Sequence, residues 1–574
     1  MVRAAALWRR VHESANITAM ARGYAIGVDF GTASARALLL DLASGEEKAV
    51  SEVAYERGVI DETLPGSGER LPLDWALHDP GDYTAVLEAG VKAVLAEHPE
   101  AAGEVVGIGV DATSCTVLPV SPDGTPLCQL DVWAKRPHAW PKLWKHHAAQ
   151  PVANRLNEVA AERGEKWLSR YGGRISSEWY FPKLIEVWLE DREVYDATAS
   201  FVEVTDWVVW QLTGHERRSA CPAAYKALWS PEEGIPSREF FEAAYPGFSR
   251  PAEKLGGEFH PLGTSAGALS AEWAERLGLP RSVAVAVGNV DSFVSFPGAG
   301  AEGAGTWVMV VGTSICDMVV HSQQVPLAGI TGVARDGILP GLYGYEAGQP
   351  AVGDMLGWFA AILGAGGGPA GATLAELELA AEPFAPGATG LVALDWWNGN
   401  RSVLADADLS GVVAGLTLQT SAAEVYRALL ESIAFGNRAV LDNFRDSGFA
   451  LDKVVACGGV AEKSPLLMQL FADTSGLPVS VPASQQVPAR GSAIFGAVAA
   501  GAGAGGFASV KEAAAALQPG TARTYRPNAA AAPTYEAVFA VWKGLHDMLG
   551  QREKSWLHEL KRLKRLQAPA PSEH

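Results

Sequence analysis

The chain has 574 residues, 48% of them hydrophobic and 19% charged, with a net charge of −19. This is globular composition in a chain long enough to bury large cores. The acidity argues against a nucleic-acid or anionic-membrane partner, but not against an anionic nucleotide, because a cleft can be locally positive or hold Mg²⁺. Cys115, Cys128, Cys221, Cys316 and Cys457 include no C-x-x-C pair and fit reduced thiols in a cytosolic, cytoplasmic protein. No apolar run reaches the roughly 18 residues that a membrane-spanning helix needs.

Residues 1–19 lack the apolar core of a secretory signal. Met20 directly precedes ARGYAIGVDF and is expected to be the natural start, with 1–19 dispensable and 1–23 a disordered extension. From there, β runs alternate with helical patterns, the signature of α/β domains. Strands are predicted at 25–30, 36–42, 105–112, 115–120, 282–288, 306–312 and 452–458, and helices at 80–97, 150–168, 179–191, 269–277, 421–445 and 464–475. Ser421 and Glu424 have the spacing of a capping box. The Gly/Ala-rich stretches 361–373 and 500–507 read as surface loops, and the Lys/Arg-rich segment 553–566 as a solvated terminal helix.

One device recurs. IGVDFGTASARALLL (26–40) and VMVVGTSICDMVV (308–320) each join two apolar β segments through a Gly-Thr turn carrying a Ser, and GIGVDATSCTVLPV (107–120) reads as a third such hairpin. The repetition predicts a duplicated domain with a ligand between the copies. In such a turn Gly accepts the φ values that let backbone N–H groups converge on an anion, and the hydroxyls add donors. Gly31, Thr32 and Ser34 in one turn and Gly312 and Thr313 in the other could grip a triphosphate from both sides. Arg36 would add charge-assisted contacts, and Asp29 suits Mg²⁺ held through water.

Competing motifs fail on context. There is no G-x-x-x-x-G-K-[ST]. The glycines 298, 300 and 303 precede a strand instead of opening a helix. GTSAG at 263–267 follows no strand, which disfavours a nucleophile elbow. His138, His146 and His147 have no Cys or carboxylate at ligand spacing and are expected on a Trp-rich helix surface.

GVDFGTASARALLLD resembles the first phosphate motif of the FGGY carbohydrate kinases, MVVGTSICDMV their second, and ACGGVAEKSPLLMQLFADTSGLPV (456–479) their adenosine motif. Further strings, among them HDPGDY (78–83), RYGGRISSEWYFPK (170–183), AAYKALW (223–229) and GILPGLYGYEAGQPAVGD (337–354), are similar to the L-ribulokinase branch of that family. The resemblance runs from about residue 24 to 545. It implies an α/β fold of two actin-like (ribonuclease-H-like) ATPase domains with a cleft between them. A sugar-binding domain would span 24–290, an ATP-binding domain 291–545, and a C-terminal helix and tail 546–574. The implied activity is ATP- and Mg²⁺-dependent phosphorylation of a ketopentose, L-ribulose to L-ribulose 5-phosphate in L-arabinose catabolism. The alternatives are D-ribulose or xylulose as the sugar, or a non-enzymatic actin-like ATP-binding protein. The expected partners are the ketose and ATP, with no nucleic acid or membrane, and a homodimer is compatible with the sequence.

By position in the motifs, Asp291 matches the family's catalytic base, a sugar contact and a metal ligand beside Asp29. Lys226 and Glu346 match sugar contacts and Ser114 a position whose backbone makes one, Gly312 and Thr313 match phosphate contacts, and Gly458, Gly459 and Lys463 the adenosine site. The chain departs from the pattern at Ser292-Phe293, at Asp317 where His is expected, and at Arg490 where an apolar residue is expected. The first two departures are expected near the cleft.

Overall fold

The computed structural model describes residues 21–248, 250–365, 373–551 and 555–567. Residues 1–20 of the expected extension, with the proposed start at Met20, and most of the Gly-rich stretch 361–373 lie outside the described residues. Residues 21–23, expected to be disordered, are held, with the Arg22 N–H donating to the Gly505 carbonyl at 2.9 Å and the Gly23 carbonyl accepting from Leu42 N–H at 3.0 Å. The helix Gly353–Ala365 runs into the start of the Gly-rich stretch.

Two domains each carry a seven-stranded sheet. In the first, β1 (Tyr24–Phe30), β2 (Ser34–Asp41) and β3 (Glu47–Ala54) form an antiparallel meander. After helix α1 (Pro80–Glu97), β4 (Val105–Ala112) returns parallel to β1. Strands β5 (Ser265–Ala268), β6 (Ala284–Ala286) and β7 (Asn289–Val290) complete the order β3-β2-β1-β4-β6-β5, with β7 also on β4. Between β4 and β5 the chain forms most of an inserted lobe whose own core is rich in Trp, Tyr and Phe; from it the short helix α2 (Ala220–Lys226) reaches back to β7. Helix α3 (Asp291–Gly298) follows β7 directly and leads toward the second sheet.

The second domain repeats this plan. β8 (Thr306–Val311) and β9 (Ile315–His321) form the hairpin. β10 (Gly332–Arg335) and β11 (Tyr343–Gln349) extend it. After helix α4 (Ala422–Asp446), β12 (Lys453–Cys457) runs parallel to β8. Helix α5 (Pro465–Ser475), β13 (Val479–Pro482), helix α6 (Val487–Ala500) and β14 (Thr521–Tyr525) follow, giving the order β10-β11-β9-β8-β12-β13-β14. The capping box at Ser421 and Glu424 forms at the start of α4. The third motif is not a hairpin: β4 pairs with β1, while its downstream segment Val117–Val120 pairs with Ser200–Glu203 in the inserted lobe.

The domains meet through exchanged helices. α6, which follows β13 of the second sheet, packs on β1 and β4 of the first sheet, and α3, which follows β7 of the first sheet, packs on β8 and β9 of the second. The approach is backbone to backbone. A Cβ on Gly109 of β4 would lie 1.9 Å from the Ser492 carbonyl oxygen, and one on Gly491 of α6 would lie 1.9 Å from that of Val294 on α3. Around this crossing lie Leu38, Phe293, Phe296, Met318, Ile494 and Phe495, a core shared by both domains.

Two unexpected residues belong to this architecture. Arg490 is buried on α6, where its Nη1 bonds Glu47 at 2.9 Å and its Nη2 donates to the Gly45 and Leu517 carbonyls, tying the helix to the β2–β3 turn. Asp317 does not line the cleft. It is fully buried on the far face of β9, accepting from Trp307 Nε1 at 3.0 Å and from Asn437 Nδ2 of α4 at 3.1 Å. Burial pushes its carboxyl up to about 7 against the pull of these two donors.

Gly109→Ala is expected to cost about 1–3 kcal/mol or more through overpacking. Gly103→Ala, where the added methyl meets open space, serves as control; equal melting temperatures for the two variants would remove the close-approach argument. For Asp317, native and unfolded states differ in proton uptake between the ordinary carboxyl value of 3.8 and about 7. The native state holds the extra proton, so this stabilisation is complete below the lower value and is lost as pH rises through the upper one. Asp317→Asn lacks that titration. Its melting temperature relative to wild type is expected to rise between about pH 5 and about pH 7.5, and a difference that does not vary with pH would contradict the buried titration.

Candidate active site

The turn after β1 is closed by Gly31 N–H donating to the Ser34 carbonyl at 3.0 Å, and the turn after β8 by Gly312 N–H donating to the Ser314 carbonyl at 2.9 Å. Both sit at the carboxyl ends of strands, where open α/β sheets bind ligands. Thr32 Oγ1 accepts from Trp144 Nε1 at 3.1 Å, and Ser34 Oγ donates to Glu52 at 2.8 Å. Arg36 lies across the β1–β2 ladder from Asp29, with its guanidinium 3.6 Å from that carboxylate and 2.8 Å from Glu52. Its charge is therefore already shared between two carboxylates at the first turn.

Beside Asp29, in register on β4, is Asp111. Ser492 of α6 donates to its Oδ2 at 2.5 Å, while its Oδ1 is buried without a partner. Burial pushes both carboxyls up, and for Asp111 the neighbouring Asp29 charge adds to the rise. Two buried carboxylates side by side repel and invite a proton or a cation. Asp111 was not singled out in the sequence, although GVDAT on β4 places it as GVDFGT on β1 places Asp29.

Asp291 begins α3, half-buried, with Oδ1 accepting from the Ser292 N–H at 2.6 Å. Burial, followed by the Asp29 charge, pushes its carboxyl up to about 7. Phe293, the departure next to it, turns away from the cleft and packs on the Tyr225 ring with centroids 4.3 Å apart.

Lys226 and Glu346 are not surface residues. Lys226 Nζ at the end of α2 bonds Glu346 Oε2 on β11 at 3.1 Å, joining the two halves of the chain across 120 positions, and both side chains are buried. Burial alone would lower the lysine; the Glu346 carboxylate outweighs it and holds the ammonium above its ordinary range. Lys226 also lies 5.6 Å from the centre of the Trp179 ring. The Ser114 hydroxyl is buried with no partner, next to Cys115 at φ +65°. Cys316, on the cleft side of β9, lies 4.0 Å from Glu346 Oε1 and also contacts Ser292.

At the second turn, the Thr313 carbonyl accepts from Val352 N–H at 2.9 Å and the Gly312 carbonyl from Gly353 N–H at 3.1 Å. Gly458 follows β12 at φ +95°, where a Cβ would lie 2.7 Å from the Val311 carbonyl oxygen. This packs the Gly458-Gly459 step against the strand that leads into the turn. Lys463 is exposed at the end of the short helix Gly459–Lys463, away from these contacts.

The histidines expected on a helix surface are placed differently. His146 is fully buried and 2.9 Å from Glu186, which also binds Lys142 at 2.9 Å. Trp75 packs on both His138 and His146. Inside the inserted lobe, Lys142 and Glu186 thus form a buried ion pair to which His146, held neutral by burial, is hydrogen-bonded. Among the described residues, no group of three or more His, Cys, Asp or Glu side chains has the arrangement of a metal cage.

Residues 307–500 match the model for the C-terminal domain of the FGGY family of carbohydrate kinases. The chain is 47% identical to a ribulokinase of Anoxybacillus flavithermus over 552 residues, covering 95% of this chain and 98% of that protein. It is 46% identical to a ribulokinase of Halalkalibacterium halodurans over 560 residues, covering 96% and 99%. Among solved structures, a xylulose kinase from Rhodospirillum rubrum superposes with a TM-score of 0.75 at 24% identity, covering 92% of this chain and 99% of that one. That last likeness concerns the fold alone. The duplicated sheets, the paired turns and full-length identity to curated relatives agree: the chain belongs to the FGGY family of carbohydrate kinases.

Proposed function

We propose that this carbohydrate kinase transfers the γ-phosphoryl group of ATP to a primary hydroxyl of a ketopentose, with L-ribulose the preferred sugar and L-ribulose 5-phosphate the product. The observation that carries the reading is the buried Lys226–Glu346 pair joining the two domains next to Asp291. A desolvated ammonium and carboxylate present both a donor and an acceptor to sugar hydroxyls. High identity to ribulokinases across both domains supports the choice of sugar. The Ser114 hydroxyl, buried without a partner, is free to bond the same ligand.

In this reading Asp291 accepts the proton of the attacking hydroxyl as oxygen bonds to phosphorus. A carboxyl near pH 7 is matched to that task. Gly31, Thr32 and Ser34 from one turn and Gly312 and Thr313 from the other hold the phosphates, and Gly458 and Gly459 flank the adenosine. Arg36 offsets phosphate charge while remaining anchored by Asp29 and Glu52. Lys463, exposed and apart from these groups, has the weakest claim to a nucleotide contact.

Mg²⁺ suits the Asp29–Asp111 pair: a buried, unpartnered carboxylate oxygen beside a second buried carboxyl is a site that wants a cation. Mg²⁺ needs only one or two protein carboxylates, because water fills its remaining positions. When bound it would neutralise charge on the β- and γ-phosphate oxygens. Asp291 is then left free to act as base.

Coupled ADP release with L-ribulose, D-ribulose, L-xylulose, D-xylulose and L-arabinose tests the sugar. The highest kcat/KM is expected for L-ribulose, and a clear preference for D-ribulose or D-xylulose would replace it with another pentulose. Asp291→Asn is expected to lower kcat by about 10²–10⁴-fold, the scale of a lost general base, with a smaller change in sugar KM and an unchanged melting temperature. Retention of more than about a tenth of wild-type kcat would place the proton acceptor elsewhere.

A further inference from the structure

We propose that Arg401 is a catalytic residue whose guanidinium binds the phosphoryl group during transfer, an assignment that rests on the kinase reading. Arg401 lies on the loop that follows the short strand Val392–Leu394. The loop is held at several points. Asn400 and Asp406 exchange backbone hydrogen bonds at 2.8 and 2.7 Å, Asn400 Oδ1 accepts from the Leu404 N–H at 2.9 Å, and Asp395 accepts from Gln349 Nε2 at 2.8 Å. The next residue, Ser402, accepts from the Gly348 N–H on β11 at 3.2 Å. Gly348 in turn is so close to β9 that a Cβ there would lie 2.0 Å from the Ile315 carbonyl oxygen.

These contacts fix residue 401 beside the first residues of β9, immediately after the Gly312–Ser314 turn. The guanidinium acts electrostatically on Cys316, which contacts both Glu346 and Ser292, the neighbour of Asp291. Arg401 thus stands where the second phosphate turn, the sugar pair and the base converge.

Its pairing sets it apart. Lys226 is matched by Glu346, and Arg36 by Asp29 and Glu52. Among the described residues Arg401 has no carboxylate or carbonyl partner, although it is half-buried. A half-buried guanidinium lacking an anion is suited to an anionic ligand, and its planar fork matches the non-bridging oxygens of a phosphoryl group better than a neutral hydroxyl. The place on the loop, beside Cys316 at the β9 end of the second turn and close to Glu346, suits the transferring group better than the α-phosphate.

In the step, the sugar O–H loses its proton to Asp291 and its oxygen bonds to the γ-phosphorus. The bond from that phosphorus to the β,γ-bridging oxygen breaks, and its electron pair leaves with ADP. Arg401 donates hydrogen bonds to the non-bridging oxygens throughout and neither gains nor loses a proton.

The test compares ATP and ADP binding to Arg401→Ala without sugar, and then turnover. ADP affinity is expected to equal wild type, which also reports an intact fold, while ATP loses affinity relative to ADP. In turnover, kcat is expected to fall by about 10³-fold, the lower end for loss of an arginine acting on a transferring phosphoryl group, with sugar KM within about threefold, short of a lost charge-assisted contact. Arg401→Lys is expected to recover only part of the rate, because a point charge does not reproduce the fork; if Arg401→Ala does not fold, the same measurements on Arg401→Lys decide. An unchanged ATP-to-ADP affinity ratio with a raised sugar KM would make Arg401 a sugar contact and overturn the proposal, as would a kcat within about tenfold of wild type. Because the nucleotide measurement contains no sugar, it stands apart from the failure of any sugar assignment.

Discussion

The contact on which the site depends is the one between helix α6 and the first sheet. Gly27, Gly107 and Gly109 line the strands where the helix lands, and carbonyls of Ala489, Gly496 and Ser492 occupy the space that side chains would otherwise fill. Only a surface without Cβ atoms lets a helix approach a sheet this closely. The approach brings Ser492 within reach of Asp111, and through Asp111 it sets the environment of Asp29. A segment near residue 490 thereby controls the polarity of a strand that begins at residue 24.

The same crossing explains how a duplicated chain makes one site. Each domain contributes a hairpin turn, and α3 and α6 cross between the two sheets. The shared core around Phe293, Met318 and Phe495 holds the two turns at the same end of the molecule. Lys226 and Glu346 then close the proposed sugar side with an ion pair that neither domain can make alone. Burying such a pair carries a large desolvation cost, so the arrangement gives up some stability in return for a polar, water-poor pocket wall.

Much of this was legible in local sequence. The Gly-Thr turns after β1 and β8, the capping box of α4 and the alternation of strands with helices all follow from short-range chemistry. What failed was pairing. GIGVDATSCTVLPV has the same local pattern as the first hairpin, yet β4 pairs in parallel with β1, and strand partners are not encoded in a hydrophobic run. Asp317 alternates with Cys316 and Met318 on β9, so a one-residue step carries it from the cleft to the far face. The Lys226–Glu346 pair entered only through resemblance, since nothing local connects residues so distant in sequence. Arg401 carried no signal, because its meaning comes from the absence of a partner in three dimensions.

The hydrogen bond from Trp144 to Thr32 has an optical consequence. The chain contains 18 tryptophans, but this indole is joined directly to a phosphate turn through its N–H. Indole emission shifts with the polarity and bonding of that group. Occupation of the turn by an anion would draw on the Thr32 hydroxyl and alter the environment of this ring, so the protein carries an intrinsic fluorophore at its proposed nucleotide site.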